Sequence, residues 1–257
     1  MKIDYASDPH ANHHVPFNHN QLKWELNTKK WTEALLENGN GDVLLLGGDF
    51  SEWNQQSLWF LEEAAKHYRY VLFVTGNHDR YLLSKKQREK YGMSSVRIQE
   101  LMDKAAGIPH IIPMQRNLVT IDGVRIAGDG LWYRPVTPED FAFYIGSSND
   151  SNYVWEGLPI KETPEFLYQE AMKWYDTLES EHVDVMLSHV PPIHPSNSPY
   201  PRNALYDCPV TFLAAPHWVC GHTHIQDDFE VAGTTFHMNA LGYPSEKHLL
   251  QLRTFEV

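Results

Sequence analysis

Five short segments of the 257-residue chain carry side chains that can do chemistry: Asp8-Pro9-His10, Gly48-Asp49, Gly76-Asn77-His78-Asp79, Ser188-His189 and Gly221-His222-Thr223-His224. With His78 and Asp79 set aside, they hold seven oxygen and nitrogen donors: Asp8, His10, Asp49, Asn77, His189, His222 and His224. Seven donors exceed what one transition metal takes and suit two ions that share a carboxylate. Asp49 is the natural bridge, because it stands alone in its segment and offers two oxygens. The i, i+2 spacing of Asp8/His10 and of His222/His224 places each pair on one side of an extended segment. Imidazole and carboxylate donors without thiolate suit manganese first, then iron, zinc, nickel or cobalt, rather than calcium or magnesium. Two such ions, ~3.5–4 Å apart, form a phosphoryl-transfer device. They clamp phosphate oxygens and lower the pKa of a bridging water, giving hydroxide near neutral pH. With Asn77 turned to the ions, its neighbour His78 can face the leaving group as general acid, and Asp79 can orient the imidazolium.

The elements that must position these residues are legible as short apolar runs at 42–49, 70–75, 183–188 and 217–220, with an N-terminal strand before Asp8. Runs that are continuous rather than alternating suit strands buried on both faces. Helical patterns lie between them at 21–36 (Leu22, Trp24, Leu26, Trp31, Leu35), 56–68, 87–106 and 165–178, the last with Thr163 as N-cap and Pro164 at the first helical position. Strand–helix alternation implies α/β layers. Five core strands then deliver Asp, Asn or His at their carboxyl ends, where layered α/β sheets bind ligands. Two β-rich runs around Asp122-Gly123 read as a hairpin, 230–238 as a second hairpin and 248–257 as a final strand, so the sheets are mixed. The stretch at 131–163 reads as a loop-rich excursion. Its Trp132, Tyr133, Phe141, Phe143, Tyr144, Tyr153 and Trp155 suit packing as readily as the lining of a pocket. Asn38-Gly39-Asn40-Gly41 lacks the Gly-Lys-Ser/Thr of a phosphate loop and reads as a helix stop and turn. With no linker and no repeat, residues 1–257 read as a single domain.

Composition narrows the function classes. The formal charge is −12, which argues against a binder of long nucleic acids or anionic membranes, since both need a basic face. Two cysteines, Cys208 and Cys220, suit a reducing compartment, and no stretch has the length or apolarity of a membrane span, so a cytoplasmic protein is expected. Fifteen histidines are more than packing needs; five fall in the segments above, and the other ten suit ordinary roles. Among these, His14 reads as a solvated-loop residue within reach of the site rim, His194 follows His189 in a Pro-rich loop, and His217 starts a strand.

Taken in order, Asp8-x-His10, Gly48-Asp49, Gly76-Asn77-His78-Asp79, His189 and Gly221-His222-x-His224 resemble the calcineurin-like metallophosphoesterase superfamily, across residues 8 to 224. The resemblance implies a four-layer α/β/β/α sandwich with two mixed β-sheets and a dinuclear metal site at the strand carboxyl ends. It implies Asp8, His10, Asp49 and His224 on one ion, and Asp49, Asn77, His189 and His222 on the other. His78 is implied as the acid, with Asp79 as its partner. The protein Ser/Thr phosphatases of that superfamily continue Gly-Asp with an acid and Arg and use Gly-Asn-His-Glu. Here the chain reads Asp49-Phe50-Ser51-Glu52-Trp53 and ends the later motif in Asp79, which is more similar to bacterial or phage small-substrate members. The expected activity is hydrolysis of a small phosphomonoester or phosphodiester. Cyclic-nucleotide phosphodiesterase and nucleotide pyrophosphohydrolase are the nearest alternatives, and a non-catalytic interaction scaffold is the alternative of another class. Arg80, Arg134 and Arg202 lie near the motifs and could hold a second phosphate or a carboxylate.

Overall fold

A computed structural model describes residues 1–200 and 203–257 of the chain. In chain order the elements are β1 (Lys2–Ala6), α1 (Ala11–His14), α2 (Gln21–Leu36), β2 (Val43–Leu46), α3 (Asn54–Ala64), β3 (Tyr70–Phe73), α4 (Lys85–Tyr91), α5 (Ser94–Ala106), β4 (Ile111–Pro113), β5 (Asn117–Ile121), β6 (Val124–Gly128), α6 (Pro138–Ser147), α7 (Asp150–Tyr153), α8 (Thr163–Tyr175), β7 (Val185–Leu187), β8 (His217–Cys220), β9 (Gln226–Val231), β10 (Thr234–Asn239) and β11 (Arg253–Glu256). They form two mixed sheets, one in the order β11-β1-β2-β3-β4 and one in the order β5-β6-β7-β8-β10-β9. The first is parallel except where β11 pairs with β1, and the second is parallel at its centre with an antiparallel pair at each edge.

Strand period 2 explains the continuous apolar runs. Val43 and Leu45 of β2, Leu72 of β3, Val185 and Leu187 of β7 and Val219 of β8 meet between the sheets. Their neighbours point the other way. Leu44, Leu46, Val71 and Phe73 pack on α2, α3 and α5, through Leu35, Phe60 and Leu101 among others. Met186, Trp218 and Cys220 pack on α8 through Leu167, Ala171 and Tyr175. Helices therefore cover both outer faces, giving the expected four layers.

Several local expectations shift. In α2, Leu22 and Leu26 are exposed, and the buried face runs through Trp24, Thr28, Thr32 and Leu35, with both threonine hydroxyls donating back to carbonyls one turn earlier. The 87–106 pattern is two helices, because Gly92 takes a positive φ and caps α4 before α5 begins. Thr163 is the first residue of α8 rather than its cap. The final strand is confined to β11. The 131–163 stretch holds α6, opened by a capping box of Thr137 and Asp140, and α7. Its Trp132, Tyr133 and Tyr144 are buried in the core beneath them. The Asn38–Gly41 turn folds over Asp4, whose carboxylate accepts from the Asn40 and Gly41 N–H groups.

Candidate metal centre

Five strand ends, from β1, β2, β3, β7 and β8, converge at one edge of the two sheets, and the chain turns sharply after each. Asp8, His10, Asp49, His222 and His224 all lie at positive φ, between 39° and 67°. Non-glycine residues adopt this region only where the surroundings impose it, and such strain gathers at functional sites. Glycines permit the close approach. A Cβ on Gly76 would collide with Asp49 Oδ1 and lie 2.6 Å from His189 Cε1.

The seven donors meet in two corners that share Asp49. In one, His10 Nε2 lies 3.1 Å from His224 Nε2 and 3.8 Å from Asp49 Oδ2, and His224 Nε2 lies 3.5 Å from Asp8 Oδ1. In the other, Asn77 Oδ1 lies 3.0 Å from His189 Nε2 and 3.2 Å from His222 Nδ1, with Asp49 Oδ2 3.6 Å from His189 Nε2. Asp8, His10 and His224 form one group whose ligand atoms are close enough for an ion, and Asp8, Asp49 and His189 another.

Hydrogen bonding outside the centre tests whether cations fit. His189 Nδ1 donates to Gly47 O at 2.7 Å and His222 Nε2 donates to Leu205 O at 2.8 Å. Burial lowers the two imidazoles to about 3 and about 4, so both are neutral and turn a bare nitrogen inward. The atom that those nitrogens face is the Asn77 carbonyl oxygen, because Asn77 Nδ2 donates to Asp150 Oδ1. Three lone pairs thus meet with no proton between them, which a cation resolves. The other corner also favours positive charge. Burial lowers the His224 pKa, but Glu246 and Asp8 outweigh it and hold His224 above its ordinary value. Glu246 accepts from His224 Nδ1 at 2.9 Å, the second carboxylate that metal-bound histidines usually carry. Burial, with Asp79 and Asp8 nearby, pushes Asp49 well above the usual carboxylate range. The donor set fits divalent ions.

The proposed acid and its partner are rearranged. Asp79 does not touch the His78 ring. Its carboxylate accepts the backbone N–H groups of Asp49 (2.8 Å), Phe50 (3.1 Å) and Gly76 (2.9 Å), clamping two strand-end turns together. The carboxylate on the ring belongs to Glu52, whose Oε1 lies 3.2 Å from His78 Nδ1. Burial raises Glu52, but hydrogen bonds from His13 and His78 win and hold it at about 2, so it is anionic. His78 Nε2 faces the cleft, 3.2 Å from Tyr243 Oη. Sequence reasoning missed Glu52, Asp150, Tyr243 and Glu246. Only Glu52 carried a signal, as an acid three residues beyond Asp49 in the same strand-end turn.

Above the centre is a cleft of about 160 Å³ walled by Tyr81, Phe143, Tyr200, Tyr206 and Tyr243, with Ser147, Ser148 and Asn149. No lysine or arginine lines it among the described residues. Arg80 pairs with Glu156 and Arg134 with Glu165, away from the cleft, and Arg202 lies outside the described residues. His14 bonds Gly242 O and stacks on Trp31, and His14 and His194 both lie outside the cleft walls. Among the described residues no helix is long and apolar enough to cross a membrane.

The calcineurin-like phosphoesterase family model matches residues 1–226. An uncharacterized protein, L509, of Acanthamoeba polyphaga mimivirus is 21% identical over 233 residues, 80% of each chain. The phosphopantetheinyl hydrolase of Mycobacterium tuberculosis superposes with a TM-score of 0.72 at 18% identity, over 99% of this chain and 95% of that one, a likeness of fold.

Proposed function

The chain belongs to the calcineurin-like phosphoesterase family, which implies metal-dependent phosphoester hydrolysis, and from that premise we propose that it cleaves a small, singly phosphorylated ester in the cleft above Asp49. The observation that carries this reading is the meeting of Asn77 Oδ1, His189 Nε2 and His222 Nδ1 without a proton. Asp8, His10, Asp49 and His224 would hold one divalent ion, and Asp49, Asn77, His189 and His222 the other. When bound, the pair supplies activation of water and neutralisation of the phosphate charge. His78 presents Nε2 to the cleft, from which a proton can pass to the departing oxygen. Glu52, 3.2 Å from Nδ1, holds the ring so that Nε2 stays turned to the cleft.

The cleft walls support this reading of the substrate. Among the described residues no lysine or arginine lines the cleft to hold a second phosphate, which favours a singly phosphorylated substrate over a nucleoside di- or triphosphate. Tyrosines, serines and an asparagine suit a leaving group that is polar or aromatic and uncharged; a phosphopantetheinyl ester is one member of that class.

The test is hydrolysis of para-nitrophenyl phosphate and bis-para-nitrophenyl phosphate by the Mn-loaded chain, with and without chelator. Turnover of at least one, abolished by chelator, is expected, and the ratio of rates separates monoesterase from diesterase. A chain shown to hold two ions that turns over neither would favour the scaffold reading.

A further inference from the structure

Asp150 is 3% exposed, sits at the start of α7 in the 131–163 stretch, and has three side-chain donors converging on it. Asn77 Nδ2 donates to Oδ1 at 2.8 Å, Tyr81 Oη donates to Oδ1 at 2.6 Å, and Tyr133 Oη donates to Oδ2 at 2.5 Å. A carboxylate only accepts, whereas an asparagine amide offers an oxygen on one side and an NH2 on the other. The two faces of Asn77 are therefore not equivalent. Asp150 takes the NH2 at 2.8 Å, with Tyr81 Oη a longer acceptor at 3.2 Å that is itself held by Asp150, and the oxygen is left facing His189 and His222. The segment that bears Asp150 is tied to the turn that bears Asn77, because Leu82 N–H donates to Tyr153 O at 2.9 Å.

We propose that Asp150 is a positioning residue for the second ion site: by holding the Asn77 amide in one of its two flips, α7 fixes a donor oxygen in the corner shared by His189, His222 and Asp49. The stretch around α7 is then a structural part of the centre as well as a wall of the cleft. The inference rests on the two-ion reading of the site.

Calorimetric titration of the metal-free chain with Mn2+ tests it without recourse to activity. The unsubstituted chain is expected to bind two ions. Asp150→Ala is expected to leave one ion at its original affinity and weaken the other about 10- to 100-fold, the usual consequence of removing an outer partner of a ligand. Asp150→Asn keeps a carbonyl oxygen for Asn77 Nδ2 and should recover most of that loss. Wild-type affinities for both ions in Asp150→Ala, or equal loss of both in Asp150→Ala and Asp150→Asn, would overturn the proposal. If Asp150→Ala does not unfold cooperatively, the exchange decides. Asn77→Asp sets two carboxylates against each other and should weaken the second ion, and adding Asp150→Asn should restore part of it. Strict additivity of the two changes would overturn the proposal. An unsubstituted chain that binds no Mn2+ would instead overturn the two-ion reading itself.

Discussion

A general acid matters in proportion to how poorly the leaving oxygen departs. His78→Ala should therefore lower turnover of an alkyl phosphoester by about 100- to 10,000-fold, the range that a positioned acid contributes. It should lower turnover of a nitrophenyl ester much less, because nitrophenolate leaves without protonation. Equal losses on the two esters, measured at saturating Mn, would remove His78 from that role. Glu52→Gln should show the same leaving-group dependence with a smaller loss, ~10-fold or more, because it removes the carboxylate that holds the His78 ring at Nδ1. Asp79→Asn should behave differently. Its carboxylate holds the backbone of Asp49, Phe50 and Gly76, so its loss should appear first in metal affinity and thermal stability. The donor residues were readable in the sequence because each stands at the end of an apolar run, in a segment whose Gly or Pro marks a turn. Their partners were not. Glu246 and Tyr243 lie far along the chain in an ordinary turn, and Asp150 sits in a polar stretch rich in Ser and Asn. Each reaches the centre only through tertiary packing, which leaves no local pattern.

At the scale of elements, the centre is built from turns rather than from helices or strands. Gly48 lies at φ +87° and a Cβ there would sit 2.6 Å from Gly76 N, so the β2 and β3 turns touch backbone to backbone. Gly76 in turn makes room for the Asp49 carboxylate, which accepts the His78 N–H at 2.8 Å. Gly76→Ala should push that carboxylate out of place. A misplacement of about 1 Å at a catalytic group costs on the order of 100-fold in turnover, and a comparable loss is expected here, accompanied by weaker Mn binding in calorimetry. Wild-type Mn affinity in Gly76→Ala would show that the turn tolerates the methyl group and that Asp49 is not confined by it. Strand existence was legible because burial on both faces leaves unbroken apolar runs, and the two hairpins were legible from their Gly turns. Boundaries were less so. The stretch at 87–106 is rich in helix formers on both sides of the break at Gly92, and at 131–163 the capping box that opens α6 is local chemistry hidden within a polar composition.

The whole molecule carries a formal charge of −12, and that field acts on any anion approaching the cleft. Attraction must then come from inside the centre, over distances shorter than the Debye length of ~8–10 Å at ordinary salt, while the outer surface repels. Two divalent ions would change the formal charge by only four of those twelve units, so the loaded chain stays net negative. A protein that grips a long polyanion shows the opposite arrangement: many Lys and Arg contacts, and affinity that falls steeply as salt rises because condensed counterions are released. For the Mn-loaded chain acting on bis-para-nitrophenyl phosphate, kcat/KM should be flat or rise as ionic strength goes from low to physiological, since screening weakens only the repulsive outer field. A single-stranded oligodeoxynucleotide offered under the same conditions should remain intact, because a chain of formal charge −12 repels a long polyanion overall. Cleavage of the oligonucleotide that is fast at low salt and collapses at physiological salt would overturn this reading and place a basic track on the surface that leads to Asp49.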